Sequence, residues 1–255
     1  MKKVLITAPV HQNEDIFQEY LWSLNRLFIP KDIEIKKFFY LHNCENLKNF
    51  LNEDEYVIIN DETTFHVTEK THIWKNENFS AVSNMRTMAL EKARNENFDY
   101  VFSVDSDVLL NQITLSLLIE DNKDIVGNIY WTDFQGKGIL MPNCYDQENS
   151  QFDKLQGGME RLKIMGLYNV GVVGACTLIG KRVIENTYIN YFPIKNISTT
   201  KWEDQAFITR ARCLIPDITV CIDTRFPARH LYRQSDYDLW MKDKEEYSRA
   251  FNYGM

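Results

Sequence analysis

The feature that most constrains the fold is a regular alternation of short apolar runs with segments of helical periodicity. Apolar runs that predict strands lie at residues 4–6, 33–41, 56–59, 100–104 and 124–130. Apolar side chains recur at three- and four-residue steps, the spacing of one helix face, within residues 14–28, 79–93 and 111–120. This order predicts an α/β fold with a mostly parallel, doubly wound sheet, whose first strand ends at Thr7-Ala8-Pro9.

The second half of the chain is less regular, but it continues the same patterns. After a polar loop at about 132–160, strands are predicted at 170–180 and 218–223, and helices at 181–187, 203–213 and 237–251. The sequence contains no internal repeat, low-complexity tract or flexible linker. A length of 255 residues suits one large domain, so we expect residues 1–255 to form a single unit with halves at about 1–131 and 132–255.

Charge and cysteine content narrow the functional classes. The net charge is −7 and no cluster of Lys and Arg forms a basic face, so nucleic-acid binding is not expected. No apolar run reaches the ~18 to 20 residues that cross a membrane, and the start lacks the apolar stretch of a signal peptide. The five cysteines include no C-x-x-C pair and predict reduced thiols. We expect a cytoplasmic protein, free or peripheral to the inner face of a membrane.

Two aspartates follow the most strand-like run of the first half. Tyr100–Val104 leads directly into Asp105, Ser106 and Asp107. Ligands bind at the carboxyl ends of strands in an open parallel sheet, and residues two apart project the same way while strand geometry persists. Paired buried carboxylates require a cation, and Mg²⁺ or Mn²⁺ shares such oxygen ligands with phosphates. The motif predicts a metal and phosphate site; its alternative is a capping pair for the helix at 111.

A second Asp-x-Asp motif provides a comparison within the same chain. Asp236, Tyr237 and Asp238 follow no apolar strand. Acidic residues in such a place predict a solvated helix start, where the helix dipole favours them.

Other phosphate chemistries place similar residues differently. A haloacid-dehalogenase-type phosphatase carries Asp-x-Asp on the first strand of its core and has Thr or Val where Leu109 stands, whereas three strands precede the motif here. A sugar nucleotidyltransferase has a Gly-rich loop after its first strand, where this chain has residues 7–11, and the Walker pattern is absent throughout. Both classes fit the sequence less well.

A second acidic pair opens a predicted helix in the second half. Glu203 and Asp204 follow Trp202, and on their own they are typical of an ordinary helix N-terminus. Upstream of them lies a Gly-rich run at 171–180, and downstream His230 follows the strand predicted at 218–223. The ordered set is more specific than any one of its members.

In this order the motifs resemble those of GT-A-fold glycosyltransferases, close to the glycosyltransferase family 2 type. The matching features are the Pro-containing turn at 7–10, the helix that carries Arg86, the Asp-x-Asp strand, the Gly-rich strand with its basic end at 174–182, the acidic helix start at Glu203 and Asp204, and His230. They span residues 4–232. Thr87 stands where Asn often follows the arginine, and residues 132–160 and the tail from 237 match no element of the type.

The resemblance implies both a fold and an activity. The fold is GT-A, Rossmann-like, with helices around a mostly parallel central sheet and a small second sheet in the acceptor half. Residues 1–131 are expected to bind the nucleotide sugar and the metal, and residues 132–255 the acceptor. The activity is transfer of a sugar from a nucleotide-diphosphate sugar to a hydroxyl of a glycan, protein or small molecule, with Mn²⁺ or Mg²⁺ as cofactor.

The resemblance also implies roles for individual residues on the donor side. The nucleobase would lie among Pro9, Val10 and Asn43. The remaining donor and metal contacts would come from Arg86 to the diphosphate, Asp105 to the ribose or the metal's water shell, and Asp107 and His230 to the metal itself.

On the acceptor side, the resemblance makes Asp204 the general base, with Glu203 orienting it or the acceptor. Such a base inverts the anomeric configuration, but retaining enzymes of similar fold share the metal motif, so retention stays an alternative. A sugar nucleotidyltransferase and a non-catalytic nucleotide-sugar-binding module also stay open. Tyr130, Trp131 and Trp202 are candidates for stacking on sugars, with core packing as their alternative. The sugar, base and acceptor are left open, as is a homo-oligomeric state.

Overall fold

A computed structural model describes residues 1–67, 72–73, 75–134, 136–145, 158–194 and 202–252. The strands of these residues are, in chain order, Lys2–Val10 (β1), Ile33–His42 (β2), Tyr56–Ile59 (β3), His66–Val67 (β4), His72–Ile73 (β5), Tyr100–Val104 (β6), Val108–Leu109 (β7), Ile125–Asn128 (β8), Trp131–Thr132 (β9), Met141–Pro142 (β10), Cys144–Tyr145 (β11), Leu167–Asn169 (β12), Val172–Val173 (β13), Cys176–Gly180 (β14), Val220–Asp223 (β15) and Arg229–His230 (β16). The α-helices are Glu14–Asn25 (α1), Asn76–Asn95 (α2), Thr114–Glu120 (α3), Lys181–Ile184 (α4), Glu203–Leu214 (α5) and Gln234–Asn252 (α6), and 3₁₀ turns lie at Glu45–Phe50 and Glu160–Lys163.

Eight strands form one sheet in the order β12-β15-β8-β14-β6-β1-β2-β3. β3, β2, β1 and β6 are parallel neighbours and β15 is parallel to β8, whereas β14 and β12 run antiparallel to the strands beside them. Short two-stranded sheets join β9 to β10 and β11 to β13 in the second half of the chain. The predicted fold class, a mostly parallel sheet with a smaller second sheet, is confirmed.

Both faces of the central sheet are covered by helices. Within β1, Val4 and Ile6 pack into one apolar cluster while Leu5 between them packs into the other, because side chains alternate along a strand. The first cluster includes side chains of α1, α3 and α6, and the second includes side chains of α2, α4 and α5. A parallel sheet buried on both faces requires the nearly continuous apolar runs that the sequence shows.

Two boundaries differ from the sequence-based expectation. β1 does not end at 7–9 but continues to Val10, because Pro9 and Val10 stay in register with Tyr40 and Leu41 of β2. α1 ends at Asn25, so Phe28 lies beyond the helix and is 60% exposed instead of completing its apolar stripe. The other predicted helices and long strands lie within a few residues of their expected positions. Residues 135 and 146–157 of the polar loop lie outside the described residues.

The topology brings several strand ends to one edge of the sheet. The parallel strands β1, β6, β8 and β15 all end there, and the antiparallel β14 begins there. Asp105 directly after β6 donates its backbone N–H to Ala175 O before β14, at 2.7 Å. The five cysteines are free thiols, four of them buried. Among the described helices, none is long and apolar enough to cross a bilayer.

Candidate active site

The Asp-Ser-Asp segment forms a turn rather than an extension of its strand. β6 ends at Val104, and the N–H of Val108 donates to Asp105 O at 3.0 Å. The expectation that strand geometry persists through the motif is therefore wrong, yet both aspartates line the same cleft of about 260 Å³. The capping alternative is wrong as well, since α3 begins only at Thr114.

His230 is held beside Asp107 by a short antiparallel ladder. β16 pairs with β7, which places His230 opposite Val108, and Asp107 O accepts the N–H of Leu231 at 2.8 Å. His230 Nε2 lies 3.4 Å from Asp107 Oδ1, while Nδ1 lies 2.7 Å from the hydroxyl of Thr132. Two segments that are about 120 residues apart in sequence thus present a carboxylate and an imidazole to one point.

Arg86 forms the centre of a buried charge cluster. Its side chain is only 4% exposed, so Arg86 is not a solvated charge on the helix surface. Nη2 donates to Asp105 Oδ1 at 2.7 Å, and Nη1 donates to Ser103 Oγ at 3.1 Å. On the other side, Nε lies 3.8 Å from Glu203 Oε1, and Nη1 lies 3.8 Å from Asp204 Oδ1. One guanidinium therefore links the Asp-Ser-Asp turn after β6 to the acidic start of α5.

The cluster holds more negative than positive charge. Burial raises the pKa of Asp105 to about 6; the charge of Arg86 opposes this rise and that of Asp107 adds to it. Burial also raises the pKa of Asp204, with Arg86 opposing and Glu203 adding. Burial lowers the pKa of Arg86, but three carboxylates outweigh it and keep the guanidinium charged. Such an excess of carboxylates favours binding of a cation.

Gly174 places Asp204 against the backbone of the turn that precedes β14. A Cβ at position 174 would lie 1.9 Å from Asp204 Oδ2 and 2.6 Å from its Cγ, so no larger residue fits without displacing the carboxylate. The turn is tight, with Cys176 N–H donating to Gly174 O at 2.8 Å and Ala175 in the left-handed region at φ 63°.

The cleft continues from the aspartates along the ends of β1 and α2. Pro9 and Val10 line it as predicted, together with His11, Phe65 and Arg233, which the sequence did not single out. Asn43, the third residue expected at the nucleobase, is not among the cleft residues. Its side chain accepts from the N–H of Asp61 at 3.0 Å and donates to Thr63 O at 2.9 Å.

Within the described residues, no group of three or more His, Cys, Asp or Glu side chains is placed to hold a metal by itself. Asp107 and His230 fit one side of a divalent ion, because Thr132 can fix Nδ1 as the protonated nitrogen and leave Nε2 as a ligand. An ion bound there needs further oxygens from a phosphate-bearing ligand and from water, as Mg²⁺ sites usually do.

The second Asp-x-Asp motif belongs to a helix start, as expected. Asp236 lies in the first turn of α6, and its Oδ2 accepts the backbone N–H of Arg233 at 2.9 Å. Because Arg233 lines the cleft, Asp236 supports the site indirectly.

A family model described as glycosyltransferase family 25, N-terminal domain, matches residues 27–227. The chain belongs to glycosyltransferase family 25. This match covers β2 through β15, the turn with Asp105 and Asp107, and both acidic residues at the start of α5. The resemblance to GT-A-fold glycosyltransferases is thereby confirmed, and the family is 25 rather than the related type 2.

The family 25 chain is also similar to longer curated proteins. It is 31% identical over 138 residues to procollagen galactosyltransferase 1-B of Xenopus laevis, covering 48% of this chain and 22% of that protein. It is 29% identical over 200 residues to procollagen-lysine,2-oxoglutarate 5-dioxygenase 2 of Homo sapiens, covering 74% and 25% respectively. The chain thus spans about a quarter of the length of these relatives.

Solved structures with a similar fold have low sequence identity. A197 from STIV is 15% identical with a TM-score of 0.47, covering 90% of this chain and 85% of that one. TarS from S. aureus is 17% identical with a TM-score of 0.47, covering 89% and 36%. The family assignment rests on the sequence match and not on these similarities.

Several residues of the family 25 site gave no signal in the sequence. Ser103 and Tyr191 contact Arg86, the latter with its ring 5.7 Å from the guanidinium carbon, and both come from strand or loop positions that look like core. Thr132 contacts His230 across about 100 residues of chain. Of these residues, Arg233 is the one that the sequence could most easily have indicated, because it lies three positions after His230.

Proposed function

We propose that this glycosyltransferase binds a nucleotide-diphosphate sugar with the help of a divalent metal and transfers the sugar to an acceptor hydroxyl. The observation that carries the proposal is the convergence of Asp105, Asp107 and His230 with Arg86 and Asp204 at one edge of the sheet. Residues 1–131 supply most of the donor and metal side of a single domain, to which His230 and Arg233 of the second half contribute, and residues 132–255 also supply the acceptor side.

The donor occupies the cleft along β1. Its base lies near Pro9 and Val10, and its diphosphate extends past Asp105 and Asp107 towards Arg233. Arginine suits that place because its planar fork matches phosphate oxygens. Asn43, with its side chain engaged by residues 61 and 63, shapes the end of β2 instead of contacting the base.

Asp107 and His230 hold the metal, Mn²⁺ or Mg²⁺, and Asp105 contacts its water shell or the ribose. When bound, such an ion neutralises charge that builds on the leaving nucleoside diphosphate. His230 depends for its orientation on the Thr132 hydroxyl, at 2.7 Å from Nδ1.

Arg86 has a different role from the diphosphate contact that the resemblance implied. Its guanidinium is almost fully buried, donates to Ser103 and Asp105, and lies 3.8 Å from Glu203 and Asp204, while Nε has no hydrogen-bond partner among the described residues. We therefore assign it to positioning Asp105 and Asp204 relative to each other. Glu203, 3.8 Å from Arg86 Nε, orients the guanidinium.

Asp204 accepts the proton of the acceptor hydroxyl. The acceptor oxygen forms the new bond to the anomeric carbon, and the bond to the diphosphate breaks with its electron pair on the leaving group. Attack from the face opposite the leaving group inverts the configuration. The raised pKa of Asp204 makes its ionised form a stronger base than an exposed carboxylate, and it also leaves a larger fraction of the group protonated at neutral pH.

The proposal extends to the donor sugar and to the cellular compartment. The name of the procollagen galactosyltransferase relatives makes galactose the first sugar to test. A hydroxyl of a glycan, protein or small molecule remains the acceptor. Free thiols at all five cysteines suit a reducing compartment, and on that ground we propose the cytoplasm.

A donor screen tests the function. Purified protein is incubated with Mn²⁺ and a panel of nucleotide sugars that includes those of galactose, and the phosphate product is identified. Release of a nucleoside diphosphate supports glycosyl transfer, whereas pyrophosphate indicates a nucleotidyltransferase and inorganic phosphate a phosphatase. If no donor gives any product, the remaining interpretation is a nucleotide-sugar-binding module without catalysis.

The same assay tests the metal. EDTA should abolish turnover, and Mn²⁺ or Mg²⁺ should restore it. Asp107→Ala should remove activity, while the matched control Asp54→Ala, exposed before β3 at the opposite edge of the sheet, should not. Full turnover after exhaustive chelation would contradict the metal proposal.

A further inference from the structure

A stacked aromatic pair lies beside the acidic start of α5. The rings of Trp202 and Tyr145 have centroids 5.6 Å apart and planes inclined by 30°. Trp202 immediately precedes Glu203 and Asp204, and neither aromatic residue lines the cleft that contains Asp105. The pair thus lies outside the cleft in which the donor is proposed to bind.

Trp202 occupies the N-cap position of α5 without capping the helix. It is 40% exposed, and its side chain makes no capping hydrogen bond at the start of α5. Tyr145 fixes its ring on one side, being anchored in β11 by pairing with Val172 of β13. Burial raises the pKa of the Tyr145 phenol, and the nearby charge of Asp204 adds to that rise, which places this pair within electrostatic reach of the carboxylate.

We propose that Trp202, supported by Tyr145, is the acceptor platform, and that the acceptor hydroxyl belongs to a pyranose ring. The inference rests on the proposed function. A pyranose has a face of C–H groups that can lie flat on an indole while its hydroxyls extend from the rim. With the ring on Trp202, a rim hydroxyl reaches Asp204 two residues further along the chain. An aliphatic hydroxylated side chain has no flat face to use such a platform.

The test separates acceptor binding from donor chemistry. Wild type, Trp202→Ala and Trp202→Phe are compared with Tyr188→Ala, which removes another exposed aromatic ring (76% exposed) beyond α4, at the opposite edge of the sheet. Nucleoside diphosphate release is measured without acceptor and with methyl β-D-glucopyranoside, methyl β-D-galactopyranoside, hydroxylysine or glycerol as probes.

We expect pyranosides to stimulate release by the wild type and by Tyr188→Ala. Trp202→Ala should raise the acceptor KM about tenfold, more than it changes the donor KM, and Trp202→Phe should recover most of this loss. An unchanged acceptor KM in Trp202→Ala would overturn the proposal. So would stimulation only by hydroxylysine or glycerol, or by no probe. A wild type that releases nucleoside diphosphate from no donor would instead overturn the proposed function itself.

Discussion

At the scale of single residues, Gly174 shows how a missing side chain can fix the position of a proposed catalytic group. Asp204 Oδ2 occupies the space that a Cβ at 174 would need, at 1.9 Å. Among the described residues, no side-chain hydrogen bond to Asp204 replaces this constraint, and the backbone of the turn before β14 sets the limit. The position of the proposed base thus depends on a residue with no chemistry of its own.

Gly174→Ala should therefore displace Asp204 and lower kcat for transfer by about 10²-fold, since a misplacement of about 1 Å has that effect on positioned groups. The donor KM should change little. Gly180→Ala is the matched control, because a Cβ there meets its nearest atom at 3.4 Å. Steady-state kinetics of both variants measure the effect. Wild-type activity of Gly174→Ala would contradict the prediction.

Asp204→Asn keeps the shape of the proposed base and removes its ability to accept a proton. General-base assistance is worth about 10²- to 10⁴-fold, so kcat should fall by that factor while metal and donor binding persist. Glu203→Gln should reduce kcat less if it only orients Arg86. Product configuration, read by NMR, should be opposite to that of the donor; a retained configuration would remove Asp204 from this role.

His11 gives the donor cleft a defined hydrogen-bonding preference. Its Nδ1 lies 2.8 Å from the backbone oxygen of His42, and a carbonyl can only accept. In the neutral ring Nδ1 therefore carries the proton, and Nε2 is an acceptor. The ring also packs on Phe65 with centroids 4.7 Å apart, and both residues line the cleft.

A ring N–H of the base, as in uracil N3 or guanine N1, can donate to this Nε2, whereas adenine N1 and cytosine N3 are acceptors and only the exocyclic amino groups of those bases could donate. UDP and GDP should bind more tightly than ADP and CDP in the presence of Mn²⁺, by about tenfold for one hydrogen bond. His11→Leu should remove most of that difference. Calorimetric titration of the four nucleotides measures it, and equal affinities in the wild type would contradict the assignment.

At the scale of elements, the short β7–β16 ladder positions the residues of the proposed metal site, as the central sheet positions those of the cleft. It is only two residues long on each strand, yet it brings His230 to Asp107, and β9 adds Thr132 behind the imidazole. Neither the ladder nor β9 has enough apolar periodicity to be recognised in the sequence. The proposed metal site thus depends on elements that form only in the folded chain.

Thr132→Val should weaken Mn²⁺ binding about 10- to 100-fold, because losing the partner of a ligand histidine frees its tautomer and orientation. Thr114→Val is the matched control: Thr114 is another buried threonine, and its hydroxyl has no partner among the described residues. Metal titration of activity gives the affinity for each variant. An effect of equal size at both positions would show general destabilisation instead.

At the scale of the whole molecule, the buried charge cluster that is proposed to carry the function also lowers the folding stability. The folded pKa of Asp204 is raised above its ordinary value of 3.8, chiefly by burial. The folded state therefore binds more protons than the unfolded chain above about pH 4. The contribution of Asp204 to stability is full below that pH and is lost as pH rises through the raised pKa.

It follows that Asp204→Asn should raise the Tm of the metal-free protein at pH 8 by a few degrees, and much less at pH 4.5. Asp54→Asn, at an exposed position, should change neither value. Thermal unfolding in EDTA at both pH values measures the difference. A lower Tm for Asp204→Asn at pH 8 would mean that the carboxylate stabilises the fold through Arg86 more than burial penalises it.

The sequence by itself determined the sheet class and most helix and strand positions, because apolar periodicity follows directly from which faces of the elements are buried. It also located Asp105, Asp107, Arg86, Glu203 and Asp204 through the order of motifs along the chain. The family match is independent of the structure and agrees with that order.

Only the tertiary structure decided how these residues meet. The approach of Arg86 to Glu203 and Asp204 and the contact of Thr132 with His230 each join segments that are more than 90 residues apart. Shorter separations also matter, since Asp105 lies 19 residues from Arg86 and Asp204 lies 30 residues from Gly174. Periodicity reports what each element buries but not which element it is buried against. For that reason the sequence predicts the fold class and the candidate site residues, whereas only the tertiary structure shows how those residues are arranged.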